Sequence, residues 1–458
     1  MAETRSTTRD MTSGSIPKLI MQFAIPLMFG NFFQMLYNMV DSIVVGNFVG
    51  TQALAAVGAT TLICNMAMFF FNGFAVGAGV IIGRFFGAHK KEELHQAVET
   101  TMAITFILSV VFTILGLVFV NPLLRMMNTP ADVFAQAATY LRIYFAGVSG
   151  LLLYNMGSGI LTAVGDSRRP LYFLILTSLL NIVLDLWFVC GFHMGIGGAA
   201  FATILSQFIS AFLVLLLLLR TNEVYYFRFR DLTINGKMLK QILIIGLPNG
   251  IQSAITAFSN MFVQAYINHF GSTVMAGWAG YNKINQFVML PITSMANAAT
   301  TFVSQNVGAG NTKRANAGTK TVVLMAVSIT FAIACILFPI SPLAMRLFSS
   351  DQKVIRYGVM FNHLNIFFLL FNTVNHVLAG ALRGRGDSMG PMVIMLAGFV
   401  GVRQIYLFIM TRFILNTPST VAFGYPVGWM FVFAVETIYF FARWNRREIY
   451  DMPEPEEK

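Results

Sequence analysis

A chain of 458 residues that is 56% hydrophobic and only 11% charged, with a mean hydropathy of +0.69, is not a soluble domain, for which about 25% charged residues is typical. It reads as a polytopic membrane protein. The net charge of +11 invites a nucleic-acid reading, which the placement of Lys and Arg along the chain excludes. Cys64, Cys190 and Cys335 all lie in apolar runs, so no disulfide framework is expected.

Residues 1–15 are polar and lead straight into an apolar run without an A-x-A site, so no cleavable signal is expected. Crossing ~30 Å of hydrocarbon takes about 20 apolar residues. Twelve such runs follow in order: 17–46, 53–82, 95–120, 130–160, 168–191, 196–220, 239–268, 273–304, 316–341, 351–382, 389–412 and 418–442. The longest of them imply tilted helices or ends that project beyond the bilayer.

Lys and Arg cluster in alternate connections: Arg5, Arg9 and Lys18; Arg84, Lys90 and Lys91; Arg168 and Arg169; Arg220, Arg228, Arg230, Lys237 and Lys240; Lys313, Arg314 and Lys320; Arg383 and Arg385; Arg443, Arg446 and Arg447. The opposite connections carry only Arg125, Arg346, Lys353, Arg356 and Arg412. By the positive-inside rule both termini are expected in the cytoplasm, with the chain in the inner membrane of a prokaryote. The positive charge is a topology signal, and no nucleic-acid partner is expected.

An internal repeat runs at an offset of 221 residues: Gly50 and Gly271, Ala55 and Ala276, Gly87 and Gly308, Ala88 and Ala309, Gly159 and Gly380, and "GDSRRP" (165–170) against "GDSMGP" (386–391). Each half holds an even number of spans, so the halves are parallel repeats about an axis along the membrane normal, as in alternating-access transporters. The expected division is an N-lobe over 1–220, a cytoplasmic interlobe linker over 221–238, a C-lobe over 239–443 and a cytoplasmic tail over 444–458. The fold class is all-α, twelve transmembrane helices in two six-helix repeats.

Features absent from the repeat are the better candidates for function. The first span carries Asn31, Gln34, Asn38 and Asp41 on one helical face; the fifth carries Ser178, Asn181 and Asp185; the sixth carries Thr203, Ser206, Gln207 and Ser210. At the repeat offset Asp41 and Asp185 meet Phe262 and Tyr406, so neither carboxylate recurs. Asp41, Asn181, Asp185, Thr203 and Tyr140 all fall near predicted outer ends, compatible with one pocket. Small polar groups commonly hydrogen-bond neighbouring helices, and that reading competes for Asn31, Asn38 and Ser178. A carboxylate at mid-helix costs about 2.5–3.5 kcal/mol on insertion scales and normally marks an ion or substrate pathway.

Assembled in order, "IPLMFGNFFQMLYNMVDSIVVG", "ATYLRIYFAG", "GDSRRP", "LLNIVLDLWFV" and "GYNKINQFVMLP" make the chain resemble the multidrug and toxic compound extrusion (MATE) family of cation-coupled antiporters along essentially its whole length. The resemblance implies an antiporter that exports organic cations and other drugs. Its coupling site would be Asp41, Asn181, Asp185 and Thr203, supported by Gln34, Asn38 and Tyr140. The coupling ion would be H⁺ or Na⁺, the latter held at Asp41, Asn181, Asp185 and Thr203, with no other cofactor. The seventh and tenth spans lack the carboxylates of the sodium-coupled NorM type, which places the likeness nearer the DinF-like branch. Lys283, in "NKINQF", is expected to shape the cavity of the second lobe, and His376 to contact substrate or a proton. Expected partners are small organic cations and membrane lipids, and a monomer is expected. With 27 Met and 44 Phe the surface is adaptable, although lipid contact and packing account for most of them.

Other signals point elsewhere. "GRGD" (384–387) imitates the GxGD motif of intramembrane proteases, but its repeat partner "AVGD" makes it a turn. Glu436 with Arg443 reads as interfacial electrostatics. A lipid-linked saccharide flippase is the alternative function, and would need a basic cavity, for which Lys283 and Arg403 are the candidates. Without HExxH, G-x-S-x-G or a metal-ligand cluster in the sequence, no enzyme is expected.

Overall fold

The computed structural model describes residues 8–443 apart from Asn128. The tail over 444–458, with Arg446 and Arg447, and Arg5 lie outside the described residues. Among the described residues ten helices are long and apolar enough to span a membrane on their own, and two sharply bent pairs, each taken as one span, bring the number to twelve. In chain order these are α1 Ile16–Val49, α2 Thr51–Gly87, α3 Lys91–Met126, α4 (Ala131–Ala146 with Val148–Ala163), α5 Arg168–Gly191 and α6 Gly195–Arg220. The second set is α7 Gly236–Asn268, α8 Ser272–Gly308, α9 Thr312–Arg346, α10 (Gln352–Asn365 with Leu369–Gly384), α11 Met389–Ile414 and α12 Pro418–Ala442. At about 1.5 Å per residue, the 37 residues of α2 extend well past a 30 Å core. The fourth and tenth runs, read from the sequence as single spans, bend by 48° and 56°.

The apolar surplus faces outward. Val118 on α3, Leu324 on α9 and Ile438 on α12 are all exposed, as expected of helices apolar all round and solvated by lipid. The three cysteines are free thiols.

The repeat is built into the backbone. Gly165 and Gly386 take left-handed φ values of 83° and 84°, a conformation glycine reaches without a Cβ penalty. The following Asp caps the next helix in each copy: Asp166 Oδ1 accepts from the backbone N–H of Arg168 and Arg169, and Asp387 Oδ1 from that of Gly390. "GRGD" is therefore a helix-capping turn. Gly159 and Gly380 serve close helix contacts, since an added Cβ would lie 3.2 Å from the carbonyl oxygen of Ala75 and 2.4 Å from that of Ala296.

The helices group into two compact units. One takes Phe29–Leu247 with the described residues before Met11; the other takes Met11–Met28 and the chain from Pro248 onward. The early part of α1 thus packs with the second half: Ile20, Phe23 and Ala24 share a core with Met295, Ala298 and Phe302. Correspondingly, the early part of α7 packs on α2, where Gly77 meets Ile242 and Gly246 so closely that no side chain fits. Each change of allegiance falls next to a proline within the helix, Pro26 in α1 and Pro248 in α7. A helix-interior proline removes a backbone hydrogen bond and bends the chain.

Candidate functional site

Asp41 and Asp185 each stand just before an irregular turn. Asp41 is followed by the π-turn Val45–Val49 and Asp185 by the π-turn Leu186–Gly191. The two π-turns pack against each other and against α6, so the carboxyl-bearing ends of α1 and α5 meet at the start of α6. A π-turn accommodates one extra residue and recurs at functional sites. The sequence carries its trace: Pro26 and Pro248 are 222 residues apart, whereas Gly50 and Gly271 are 221 apart. The extra residue of α1 lies in its π-turn, and α7 is α-helical throughout.

This register corrects the expected repeat partners. Asp41 precedes the insertion, so its counterpart is the buried Val263 rather than Phe262. An additional π-turn in α11, Ala397–Val402, shifts that helix as well. Asp185 then corresponds to the buried Leu407, not Tyr406, and Asn181 to Arg403.

Within the first unit the acidic pair is shielded from solvent, with Asp41 7%, Asn181 1% and Asp185 0% exposed. Asp41 and Asp185 lie within electrostatic reach of each other, and Tyr37 and Tyr140 of Asp41. Gln207 of α6 reaches the Tyr37 hydroxyl. Two neighbouring carboxylates out of water are costly as bare anions, and the cost is relieved by a bound proton or cation.

The polar atoms here are not used as helix glue. Asp41 Oδ1, both oxygens of Asp185, both amide atoms of Asn181, Ser178 Oγ and Ser206 Oγ are buried without a hydrogen-bond partner from the protein. The α5–α6 link is made one residue away, where Ser210 Oγ donates to Thr177 Oγ1 at 2.8 Å. A buried polar group left unpaired costs about 1–3 kcal/mol, and contacts within the protein do not offset that cost for the atoms of this cluster. Its donors are carboxylate, amide and hydroxyl oxygens, a set that suits a proton or a hard cation such as Na⁺. Thr203 is half-buried on α6, one turn before Ser206 and Gln207. Tyr140 is buried, Gln34 half-buried two turns before Asp41, and Asn38 exposed, its carbonyl accepting from Ser42.

The second unit holds Lys283 and His376. Lys283 is exposed, and His376 is half-buried within electrostatic reach of Arg383. Arg403 Nη2 donates to Ser259 Oγ at 2.7 Å, and its guanidinium lies 4.8 Å from the centre of the Tyr425 ring. Gln404 donates to the same serine, and Tyr425 donates to Asn260 Oδ1. Glu436 departs from its expected interfacial role: it is fully buried and faces Arg383, while Arg443 pairs with Asp387 at 3.1 Å.

A twelve-span, all-α membrane protein with a six-plus-six repeat and a buried acidic cluster in its first half defines a two-lobed membrane transporter. The chain belongs to the MatE family, whose model matches it twice, over residues 26–187 and again over 248–409. Among its relatives is the probable multidrug resistance protein YoeA of Bacillus subtilis, 27% identical over 96% of this chain and 97% of the relative. Among solved structures it is similar to a MOP superfamily transporter from Pyrococcus furiosus, 25% identical, with a TM-score of 0.90 over 97% of this chain and 99% of that one. An outward-facing multidrug resistance MATE family transporter superposes equally well, with a TM-score of 0.90 and 25% identity over 96% and 98% of the two chains. It is therefore a membrane transporter of the MatE family.

Proposed function

We propose that the protein is a cation-coupled antiporter that exports organic cations by alternating access, with coupling through Asp41 and Asp185. The observation that carries this reading is the buried, unpaired acidic cluster of α1, α5 and α6, found in one half of a repeat and not at the matching positions of the other. With both termini cytoplasmic, an inward-moving H⁺ or Na⁺ neutralises the carboxylate pair, with Asn181 and Thr203 supplying further oxygen ligands to Na⁺. Neutralisation removes the repulsion between the carboxylates and lets the ends of α1 and α5 close on α6. The change expels an organic cation to the outside. In a one-for-one exchange of monovalent cations no net charge crosses the membrane, so export is driven by the coupling ion's concentration gradient, worth about 1.4 kcal/mol per ten-fold ratio.

Neither candidate cation favours the flippase reading, because Arg403 is held by Ser259 and Tyr425 and Lys283 is exposed. Efflux of a fluorescent organic cation from proteoliposomes, under a pH gradient and a Na⁺ gradient imposed separately, tests the proposal. Wild type responds to one or both, and Asp41→Asn to neither while still inserting normally. Gradient-driven efflux by Asp41→Asn at the wild-type rate refutes the coupling role.

A further inference from the structure

Away from the acidic cluster, the segment between α6 and α7 folds back onto the start of α3 and builds a second polar centre. His95 and Glu99 lie one turn apart on α3, with Nε2 of the imidazole 2.7 Å from Glu99 Oε1. Asp231, at the end of the short 3₁₀ turn Phe229–Asp231, closes the group: one ligand atom from each of His95, Glu99 and Asp231 lies within 4.8 Å of the other two. We infer that these three residues form a binding site for a divalent transition-metal ion, Zn²⁺ being the best match, with water completing the coordination.

Three features of the site support this. The His95 ring carries no hydrogen bond outside the proposed ligand set, because Nε2 meets Glu99 and Nδ1 is buried without a partner. Glu99 is held from behind, as metal ligands usually are, by Thr233 Oγ1, which donates to its Oε2 at 3.0 Å, and the imidazole packs against the Tyr226 ring, centroids 4.1 Å apart. Finally, the charges ask for a cation. A neutral imidazole with two carboxylates carries two negative charges, which one divalent ion cancels. One nitrogen and two carboxylate oxygens suit Zn²⁺, and a cavity of about 500 Å³ lined by His95, Glu99 and Thr233 gives it access.

The ion would fasten the segment before α7 to α3, reinforcing the bond from the Asn235 backbone N–H to Thr100 Oγ1. The binding balances simply. When the ion binds at Nε2 the single ring proton of the neutral imidazole is carried on Nδ1, so the ring stays neutral and the ion takes the place of the hydrogen bond to Glu99.

The test is a titration of the tag-free, full-length protein in detergent with Zn²⁺ alone, by calorimetry, and with Co²⁺, by its visible absorption. One saturable ion per chain is expected, together with a Co²⁺ spectrum of low-coordinate N/O ligation. His95→Ala and Asp231→Asn should each weaken binding roughly 100-fold, whereas His89→Ala, on the exposed turn before α3, should leave it unchanged. Should His95→Ala not purify as a single species, Asp231→Asn, on its half-exposed turn, decides alone. The absence of saturable Zn²⁺ binding in wild type, or wild-type affinity in Asp231→Asn, overturns the site. The result is independent of whether Asp41 and Asp185 couple transport.

Discussion

At equivalent places in the repeat, the two halves solve opposite electrostatic problems. The first half puts Tyr37, Asp41, Asn181 and Asp185 together, buried, with most of their polar atoms unpaired. The second puts Ser259, Val263, Arg403 and Leu407 at the matching positions, and there the charge is engaged by a serine and an aromatic face. An arginine held by a charge-assisted hydrogen bond and a ring is a structural brace. In the carboxylate pair, Asp41 Oδ1 and both oxygens of Asp185 have no protein partner. One architecture thus holds an engaged charge in one half and, under the proposed function, an exchangeable one in the other.

The predictions bear on that contrast, beginning with the largest effect. Asp185→Asn, like Asp41→Asn, should abolish gradient-driven efflux in proteoliposomes, because either change removes the negative charge that the proposed coupling cation neutralises. Retained coupling in both variants would remove the functional half of the contrast. Asn181→Leu should leave transport in place but raise the cation concentration for half-maximal efflux roughly ten- to a hundred-fold, since a hydrogen bond or ligand to a charged group is worth about 1.5–3 kcal/mol.

Arg403→Met should act in the other direction. Coupling persists, while thermal unfolding in detergent occurs several degrees lower, reflecting loss of about 1.5–3 kcal/mol of charge-assisted bonding to Ser259. If Arg403→Met abolished coupling at unchanged stability, the brace reading would fail. Thr203→Val is expected to be the mildest change, shifting the half-maximal cation concentration a few-fold for about 1 kcal/mol. It separates the ions as well, because a hydroxyl ligand matters to Na⁺ and little to a proton held by the carboxylates.

Much of this was legible in the residues. Composition and run length gave a twelve-span membrane protein, since about 20 apolar residues are needed to cross a bilayer whatever the fold. The "GDS" turns were legible too, because a glycine followed by a helix-capping aspartate is a local motif. The acidic pair also stood out, because a carboxylate in an apolar helix is conspicuous without any structure. What periodicity missed was the register. A constant offset cannot register a one-residue insertion inside a helix, so Asn181 was not matched with Arg403 until the π-turns of α1 and α11 were seen.

The His95, Glu99 and Asp231 group is equally hidden, because no metal-ligand spacing in the sequence marks it. Its third member lies far along the chain, beyond three further spans. The sequence by itself determined what must be buried in lipid, where the chain turns and which charges are out of place, because these follow from local chemistry and a fixed bilayer thickness. Only the tertiary structure decided which polar atoms find partners. It also decided that the first turns of α1 and α7 pack with opposite halves, and that a distant aspartate closes on α3. Those outcomes depend on packing between residues remote in the chain, which no local pattern encodes.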